Sequence, residues 1–294
     1  MFQGSIVALV TPFKQGELDE KALRDLVEFH IAEGTNAIVP CGTTGESATL
    51  SHEEHCRVIE IVIDQAKKRV PVIAGAGSNS TKEAVFLTEH AKKSGADAVL
   101  SITPYYNKPT QAGLYQHFKT IAEQVDIPIV LYNVPGRTGV NMLPDTVVEL
   151  SKIKNIVGVK EASGSLDQAG AILQHTDDSF DVISGEDSLT FPMMAMGAKG
   201  VISVTANVAP KKIAQMCKAV LENNMIEARK LHYELIDLSK AVFYETNPIP
   251  AKKAVYLMGL IENEIRLPLV EMTKENTEKL KTVMKNLGIK IVNN

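Results

Sequence analysis

Short apolar runs alternate with amphipathic stretches along the chain. Between most of the apolar runs, hydrophobic positions recur with helical spacing. In residues 19–33, for example, Leu23, Leu26 and Val27 fall on one face of a predicted helix. The apolar runs are rich in β-branched residues and end in polar or glycine-containing turns, which predicts β-strands. There are eight of them, at residues 4–10, 35–40, 70–74, 96–103, 127–132, 156–160, 180–184 and 198–204.

Strands that alternate with helices form a parallel sheet that is covered on both faces. Eight strand–helix units are the number that closes a parallel sheet into a barrel. Residues 1–209 are therefore predicted to form an α/β domain, a (β/α)8 TIM barrel. An open doubly wound sheet is the alternative. However, the glycine-rich segment 75–80 lacks the third glycine of the dinucleotide-binding fingerprint and the acidic residue that should follow it.

The remaining residues, 210–294, are predicted to form a helical C-terminal extension packed on the barrel. No Ser/Gly/Pro-rich linker precedes them, so a separate domain is not required. Their apolar spacing predicts four helices, at residues 210–222, 225–240, 250–259 and 273–287.

Composition excludes several functional classes. The 294 residues are 45% hydrophobic and 22% charged, with a net charge of −4, which is typical of a folded soluble protein. No long run of like charges favours nucleic acid or anionic lipid. The apolar run at residues 6–10 is too short for a signal peptide or a membrane span. Three cysteines without a C-x-x-C motif fit a reducing cytoplasm.

Polar residues that end the predicted strands are candidates for catalysis, because barrel active sites lie at the C-terminal strand ends. Lys160 ends a buried run, and a desolvated lysine can be neutral and attack a carbonyl to form a Schiff base. The alternative is a lysine that reaches solvent or pairs with Glu161. Tyr132 ends the preceding strand, where its phenol either carries protons or caps the barrel core.

Two features favour anion binding. The segment GTTGE at residues 42–46 offers closely spaced N–H groups and hydroxyls, which suit a carboxylate or a phosphate. A carboxylate is favoured, because no second glycine-rich loop follows strands seven and eight. Arg137 is able to bind a second carboxylate in a bidentate manner, or else it is an ordinary surface arginine. A zinc motif at residues 52–56 is excluded, because position 56 is Cys56 rather than histidine.

Four ordered motifs together resemble the dihydrodipicolinate synthase family. The likeness continues through residues 200–207 and 247–250 and covers essentially the whole chain. The motifs are GTTGE at 42–46, TPYYNKP at 103–109, LYNVPGRTG at 131–139 and GVKEA at 158–162.

The resemblance implies a lyase of the class I aldolase type that needs no metal or organic cofactor. Such an enzyme condenses pyruvate with aspartate 4-semialdehyde to 4-hydroxy-tetrahydrodipicolinate, on the route to diaminopimelate and lysine. The resemblance also implies a homotetramer built from two tight dimers.

Individual residues receive roles from the same resemblance. Lys160 is expected to form the Schiff base, while Tyr132, Thr43 and Tyr106 relay protons, with Tyr106 reaching in from a neighbouring subunit. The expected substrate-binding residues are Thr44 and the backbone of Ile202 for the pyruvate carboxylate, Gly185 nearby, and Arg137 for the aldehyde's carboxylate. L-Lysine is expected to inhibit at a separate site formed by Ser47, Ala48, His52, His55, Asn79, Glu83 and Tyr105.

Other interpretations stay open at this stage. Related aldolases, such as N-acetylneuraminate lyase, share the lysine, the tyrosine and a similar turn, but they have no need of Arg137. An alternative that is not an enzyme is a protein that senses L-lysine or a keto acid without catalysis. The presence of all three candidate catalytic side chains, Lys160, Tyr132 and Thr43, disfavours such a sensor. The residues assigned to the lysine site also fit a polar helix start and a surface turn.

Overall fold

The computed structural model describes residues 1–293 and contains an eight-stranded barrel. Every neighbouring pair of barrel strands is parallel, and strand eight pairs with strand one. A single bridge, Ile38 to Val72, joins strands two and three, so the barrel is nearly closed. The (β/α)8 prediction is confirmed. Barrel strands one to eight are Gly4–Ala8, Ala37–Val39, Ile73–Gly75, Ala98–Ile102, Ile129–Asn133, Ile156–Glu161, Asp181–Ser184 and Gly200–Ser203.

Helices follow each barrel strand, and their starts are encoded locally. Ser51, for example, accepts a hydrogen bond from the Glu54 N–H while the Glu54 side chain accepts one from the Ser51 N–H, which is a capping box. The helices after strands one to eight are Glu20–Ala32, His52–Ala66, Thr81–Ser94, Gln111–Gln124, Pro144–Ser151, Leu166–His175, Thr190–Ala195 and Pro210–Leu221. The loops add a hairpin of Phe13–Lys14 with Glu17–Leu18, a short helix Pro135–Thr138, and the 3-10 turns Ser47–Thr49, Asp187–Leu189 and Thr205–Asn207.

The C-terminal helices share the core of the barrel. Helix Pro210–Leu221 packs against strand one and thus occupies the position of the eighth barrel helix. Three more helices, Met225–Ala241, Ile249–Leu257 and Lys274–Asn286, bury side chains such as Leu280 in the same continuous apolar core. The division of the chain at residue 209 stays a prediction. No helix within residues 1–293 is long and apolar enough to cross a membrane.

Alternate residues of each strand fill the barrel interior, as the two-residue period of a strand requires. On strand five, Val130 and Tyr132 point inward, whereas Ile129 and Leu131 pack against the surrounding helices. The inward layer thus brings Tyr132 to the upper, C-terminal end of the barrel, because it is one residue from the end of strand five.

Strand six contains one extra residue. Ile156 and Gly158 pair with consecutive residues of strand five, so Val157 forms a β-bulge. Residues four apart on a regular strand point to the same face of the sheet. Because of the bulge, residues 156 and 160 instead point to opposite faces. Ile156 packs outward against the helices, while Lys160 pairs with Tyr132 and points inward over its ring.

Candidate active site

A cavity of about 590 Å³ lies at the C-terminal ends of the barrel strands. Of the residues predicted for catalysis or substrate binding, two lie elsewhere. Ile202 fills the barrel interior, and Tyr106 is 89% exposed on the surface. The other six line the cavity: Thr43, Thr44, Tyr132, Arg137, Lys160 and Gly185.

Lys160 is a buried residue of this cavity. Its side chain is only 5% exposed, and Nζ lies 4.2 Å from the centre of the Tyr132 ring. Glu161 points to the outer face of the barrel, where it accepts hydrogen bonds from the Asn133 and Gln168 amides at 3.1 Å each. The lysine therefore neither reaches solvent nor pairs with Glu161, and both alternatives to a cavity amine are wrong.

Gly185 leaves the space that the Lys160 side chain occupies. A Cβ atom at position 185 would lie 3.0 Å from both Cγ and Cε of Lys160 and 2.6 Å from the Cβ of Ala162. Any side chain here would displace the stem of the lysine. Sequence reasoning placed Gly185 near the substrate but did not reveal this steric role, which depends on the packing of two adjacent strands.

The loop after strand two forms a compact turn at the cavity. The N–H groups of Gly45 and Glu46 donate to the carbonyls of Gly42 and Thr43, both at 3.1 Å. In the described part of the chain, no oxygen accepts a hydrogen bond from the N–H of Thr43 or Thr44. Two main-chain donors and two hydroxyls therefore remain for an anion, and the carboxylate assigned to this turn stays a prediction.

Glu46 fastens this turn to the C-terminal helices. Its carboxylate accepts hydrogen bonds from Lys252 Nζ at 2.5 Å and from the Arg266 N–H at 3.0 Å. Both charged side chains of the pair are buried. Burial lowers the pKa of Lys252, and the neighbouring Glu46 carboxylate opposes that effect. Sequence reasoning missed this pair, because its members are 206 positions apart and no local pattern connects them.

Arg137 lies on the short helix Pro135–Thr138 at the edge of the cavity. Its side chain is exposed, and Nη2 donates to the main-chain oxygen of Asn247 at 3.2 Å. A guanidinium has five N–H donors in a planar fork, so most of them remain for a ligand. Such a fork matches the geometry of a carboxylate.

Two acidic residues that sequence reasoning missed follow strand seven. Glu186 lines the cavity, and its pKa is raised by burial and by the neighbouring Asp187. Asp187 is buried, which raises its pKa, and it accepts hydrogen bonds from the N–H groups of Val204 and Thr205 at 2.9 and 3.2 Å. Asp187 therefore fixes the backbone at the end of strand eight.

A second cavity, of about 570 Å³, adjoins the first. Four residues line both cavities: Thr43, Arg137, Thr246 and Asn247. Six of the seven residues predicted for lysine binding line the second one: Ser47, Ala48, His52, His55, Glu83 and Tyr105. The seventh, Asn79, donates from Nδ2 to the Tyr105 carbonyl at 3.1 Å. The structure thus gathers four separate segments of the chain around one space.

The second cavity contains a stabilised carboxylate. Ser78 Oγ donates a hydrogen bond to Glu83, and His52 Nε2 lies 2.7 Å from Glu83 Oε1. The hydrogen bonds from Ser78 and His52 lower the pKa of Glu83 against the opposing effect of burial, so Glu83 is an anion at neutral pH. His55 Nε2 donates to the Gly75 carbonyl at 2.7 Å, and burial lowers the pKa of this imidazole. The cavity therefore offers a negative group to a cationic ligand.

Comparison with known proteins agrees with this geometry. The pattern of the dihydrodipicolinate synthetase family matches residues 1–287. The 4-hydroxy-tetrahydrodipicolinate synthase of Syntrophus aciditrophicus is 61% identical over 289 residues, which are 98% of this chain and 99% of that protein. The crystal structure of dihydrodipicolinate synthase from Aquifex aeolicus superposes with a TM-score of 0.98 at 54% identity, covering 99% of this chain and 100% of that chain.

Two other similar structures contain small molecules. The chloride-inhibited dihydrodipicolinate synthase from Acinetobacter baumannii, complexed with pyruvate, is 50% identical with a TM-score of 0.97, over 98% of this chain and 100% of that one. The enzyme from Cyanidioschyzon merolae with lysine bound is 41% identical with a TM-score of 0.96, over 98% of this chain and 99% of that one. The match along nearly the whole sequence, together with the shared barrel, shows that this chain belongs to the dihydrodipicolinate synthetase family.

Proposed function

We propose that this chain condenses pyruvate with L-aspartate 4-semialdehyde to 4-hydroxy-tetrahydrodipicolinate through a Schiff base on Lys160. The observation that carries the proposal is the buried Lys160 amine, which lies against Tyr132 in a cavity bordered by Arg137. A keto acid needs an amine for its carbonyl and donors for its carboxylate, and this cavity supplies both. The names of the similar proteins support the same reaction.

The first half of the reaction is imine formation. The neutral Lys160 amine attacks the ketone carbon of pyruvate, and the resulting carbinolamine loses its oxygen as water, which requires proton transfer from nitrogen to oxygen. The Tyr132 phenol and the Thr43 hydroxyl belong to the same cavity and suit this transfer. The carboxylate of pyruvate meanwhile accepts hydrogen bonds from Thr44 and its neighbours in the turn.

The second half forms the carbon–carbon bond. Loss of a methyl proton converts the imine into an enamine, whose carbon attacks the aldehyde of the second substrate. Arg137 binds the carboxylate of that substrate and so orients its aldehyde. The substrate's own amine then attacks the imine carbon, which closes the ring and releases Lys160 for another turnover.

L-Lysine is the ligand that we propose for the second cavity. Glu83 pairs with its α-ammonium, Asn79 and Tyr105 bind its carboxylate, and the histidines line the space around its side chain. The similar enzyme with lysine bound supports this assignment. The wall that the two cavities share offers a physical contact through which the ligand lowers the rate.

Reductive trapping tests the central step. Protein incubated with pyruvate and borohydride should carry one pyruvate-derived adduct, located by mass spectrometry on the peptide that contains Lys160. The Lys160→Arg variant should stay unmodified, and Lys199→Arg, which removes a lysine outside the lining of the cavity, serves as the matched control. An adduct on another lysine contradicts the assignment.

The sugar aldolases remain the alternative, and substrate choice separates them from the proposal. The wild type should convert aspartate semialdehyde and should not cleave N-acetylneuraminate, because Arg137 is suited to a carboxylate that the sugar aldehyde lacks at this position. Efficient cleavage of the sugar acid, without turnover of the semialdehyde, favours the alternative.

A further inference from the structure

Asn247 connects the two groups that are proposed to hold substrate carboxylates. Its side chain is buried, and Nδ2 donates a hydrogen bond to Thr44 Oγ1 at 3.0 Å. Its main-chain oxygen accepts the hydrogen bond from Arg137 Nη2 at 3.2 Å. The residue belongs to the segment before helix Ile249–Leu257, so the C-terminal part of the chain reaches both anion-binding groups.

Packing alone does not favour an amide at this position. The Oδ1 atom of Asn247 is buried and has no hydrogen-bond partner within residues 1–293. A buried polar atom without a partner lowers stability, and a small apolar side chain would avoid that cost. Exchanging the oxygen and nitrogen of the amide would leave Nδ2 without a partner instead. The value of this amide therefore lies in its hydrogen bond to Thr44.

The direction of the hydrogen bond determines which way the Thr44 hydroxyl donates. A hydroxyl has one hydrogen, and Thr44 Oγ1 is an acceptor toward the Asn247 amide. Its own hydrogen is therefore left to donate elsewhere. Because Thr44 lines the cavity, a bound carboxylate is the acceptor that this arrangement suits.

We propose that Asn247 is a positioning residue, which orients the Thr44 hydroxyl as a donor toward the pyruvate carboxylate and holds Arg137 beside it for the second carboxylate. This inference rests on the proposed function. An aspartate at position 247 would have nearly the same shape, but it would accept the Thr44 hydrogen and add a negative charge. Asn247→Asp should therefore impair carboxylate binding more than Asn247→Ala does.

A purely structural role predicts the opposite order. Aspartate retains the volume of asparagine and still forms a hydrogen bond with Thr44, whereas alanine removes both. If Asn247 served only the packing of the loop, Asn247→Asp would be the milder change. Which of the two variants binds the carboxylate more weakly thus distinguishes a residue that orients a donor from one that only fills space.

The experiment measures kcat and KM for both substrates, and the pyruvate concentration that half-saturates borohydride trapping of Lys160. Asn247→Ala is expected to raise the KM for pyruvate about tenfold, the effect of roughly one hydrogen bond. Asn247→Asp is expected to raise it about tenfold further, with a similar order in the trapping curve and a smaller change in kcat. Asn155→Ala is the matched control, because Asn155 Nδ2 donates to the Ala122 carbonyl at 2.9 Å and lies just before strand six, at the opposite end of the barrel. The control should lower the melting temperature without changing either KM.

Clear outcomes overturn the inference. An Asn247→Asp variant with lower KM values than Asn247→Ala, or unchanged KM values with a lower melting temperature in both, assigns Asn247 a structural role. If the wild type traps pyruvate but does not convert the semialdehyde, the proposed function fails, while the trapping curves still decide the role of Asn247 toward pyruvate. Should Asn247→Ala not fold, Asn247→Ser takes its place in the comparison.

Discussion

Tyr132 is the single side chain whose hydroxyl matters most for proton transfer in the proposed reaction. Tyr132→Phe keeps the ring that packs 4.2 Å from Lys160 Nζ and removes only the O–H group. We expect kcat to fall by about 10²–10⁴-fold, the usual contribution of a general acid–base group. Steady-state kinetics measures this effect, and an unchanged melting temperature shows that the fold is intact. Near-native turnover would contradict the role of the phenol.

A buried histidine outside the cavities makes stability depend on pH. Burial lowers the pKa of His30 to about 3 from 6.5. As the pH falls below 6.5, the unfolded chain binds a proton that the folded protein does not, so stability is complete above pH 6.5 and decreases as the pH falls toward 3. At pH 5 this one group should cost about 2 kcal/mol of unfolding free energy.

Urea unfolding at pH 7 and pH 5 measures that cost. His30→Gln removes the titrating group, so the variant should lose less stability between the two pH values than the wild type does. His175→Gln changes an exposed histidine and serves as the control. If the wild type and His30→Gln lost the same unfolding free energy between pH 7 and pH 5, another titrating group would be responsible for the pH dependence.

At the scale of elements, the sequence was sufficient for the strands and for placing most of the candidate residues at the cavity, because periodicity and strand-end polarity are local signals. The predicted strand at residues 156–160 corresponds to Ile156–Glu161 in the structure. The bulge at Val157 was not predictable, since it depends on pairing with strand five and not on composition. The contacts of Asn247 and Lys252 with this site were missed for a related reason. Each residue contacts the turn at residues 42–46 from more than 200 positions away, and such contacts leave no local pattern.

The pair of Lys252 and Glu46 should be a major contact between the barrel and the C-terminal helices. We propose that residues 1–209 and 210–294 unfold as one cooperative unit, which the continuous core supports. Lys252→Met leaves the Glu46 carboxylate buried without its cation, and such changes cost about 3–5 kcal/mol. The double variant Lys252→Met with Glu46→Gln should recover much of that loss. Denaturant unfolding tests both expectations, and a single variant as stable as the wild type would refute them.

At the scale of the whole molecule, the two cavities are expected to communicate. Millimolar L-lysine should lower the rate of the wild type without competing with pyruvate, through a coupling free energy of about 1–3 kcal/mol. Glu83→Ala combined with His55→Ala removes the proposed partner of the α-ammonium and one histidine of the cavity wall. Inhibition should then be lost while activity without lysine persists. A wild type unaffected by lysine, or inhibition that survives in the double variant, would exclude the site.

Tyr106 is predicted to make activity depend on a second copy of the chain. Its side chain is 89% exposed and does not line the cavity of its own subunit, so its predicted place in the relay requires a neighbour. Tyr106→Phe and Lys160→Arg should each be nearly inactive. Random mixing of the two variants should restore about one quarter of the activity, because half of the dimers are mixed and each has one complete site of two. No recovery after confirmed subunit exchange, or a fully active monomer, would contradict the shared site.

The bulge in strand six also affects how variation in this family should be interpreted. Ile156 pairs with Ile129 and Lys160 pairs with Tyr132, so strand six is one residue longer than strand five over the same stretch. Deletion of Val157 would give a regular ladder in which Lys160 still pairs with Tyr132 and still faces the cavity. A one-residue gap at this position in a related sequence is therefore compatible with a lysine that still reaches the cavity, and a protein with that gap should not be classed as inactive on that ground.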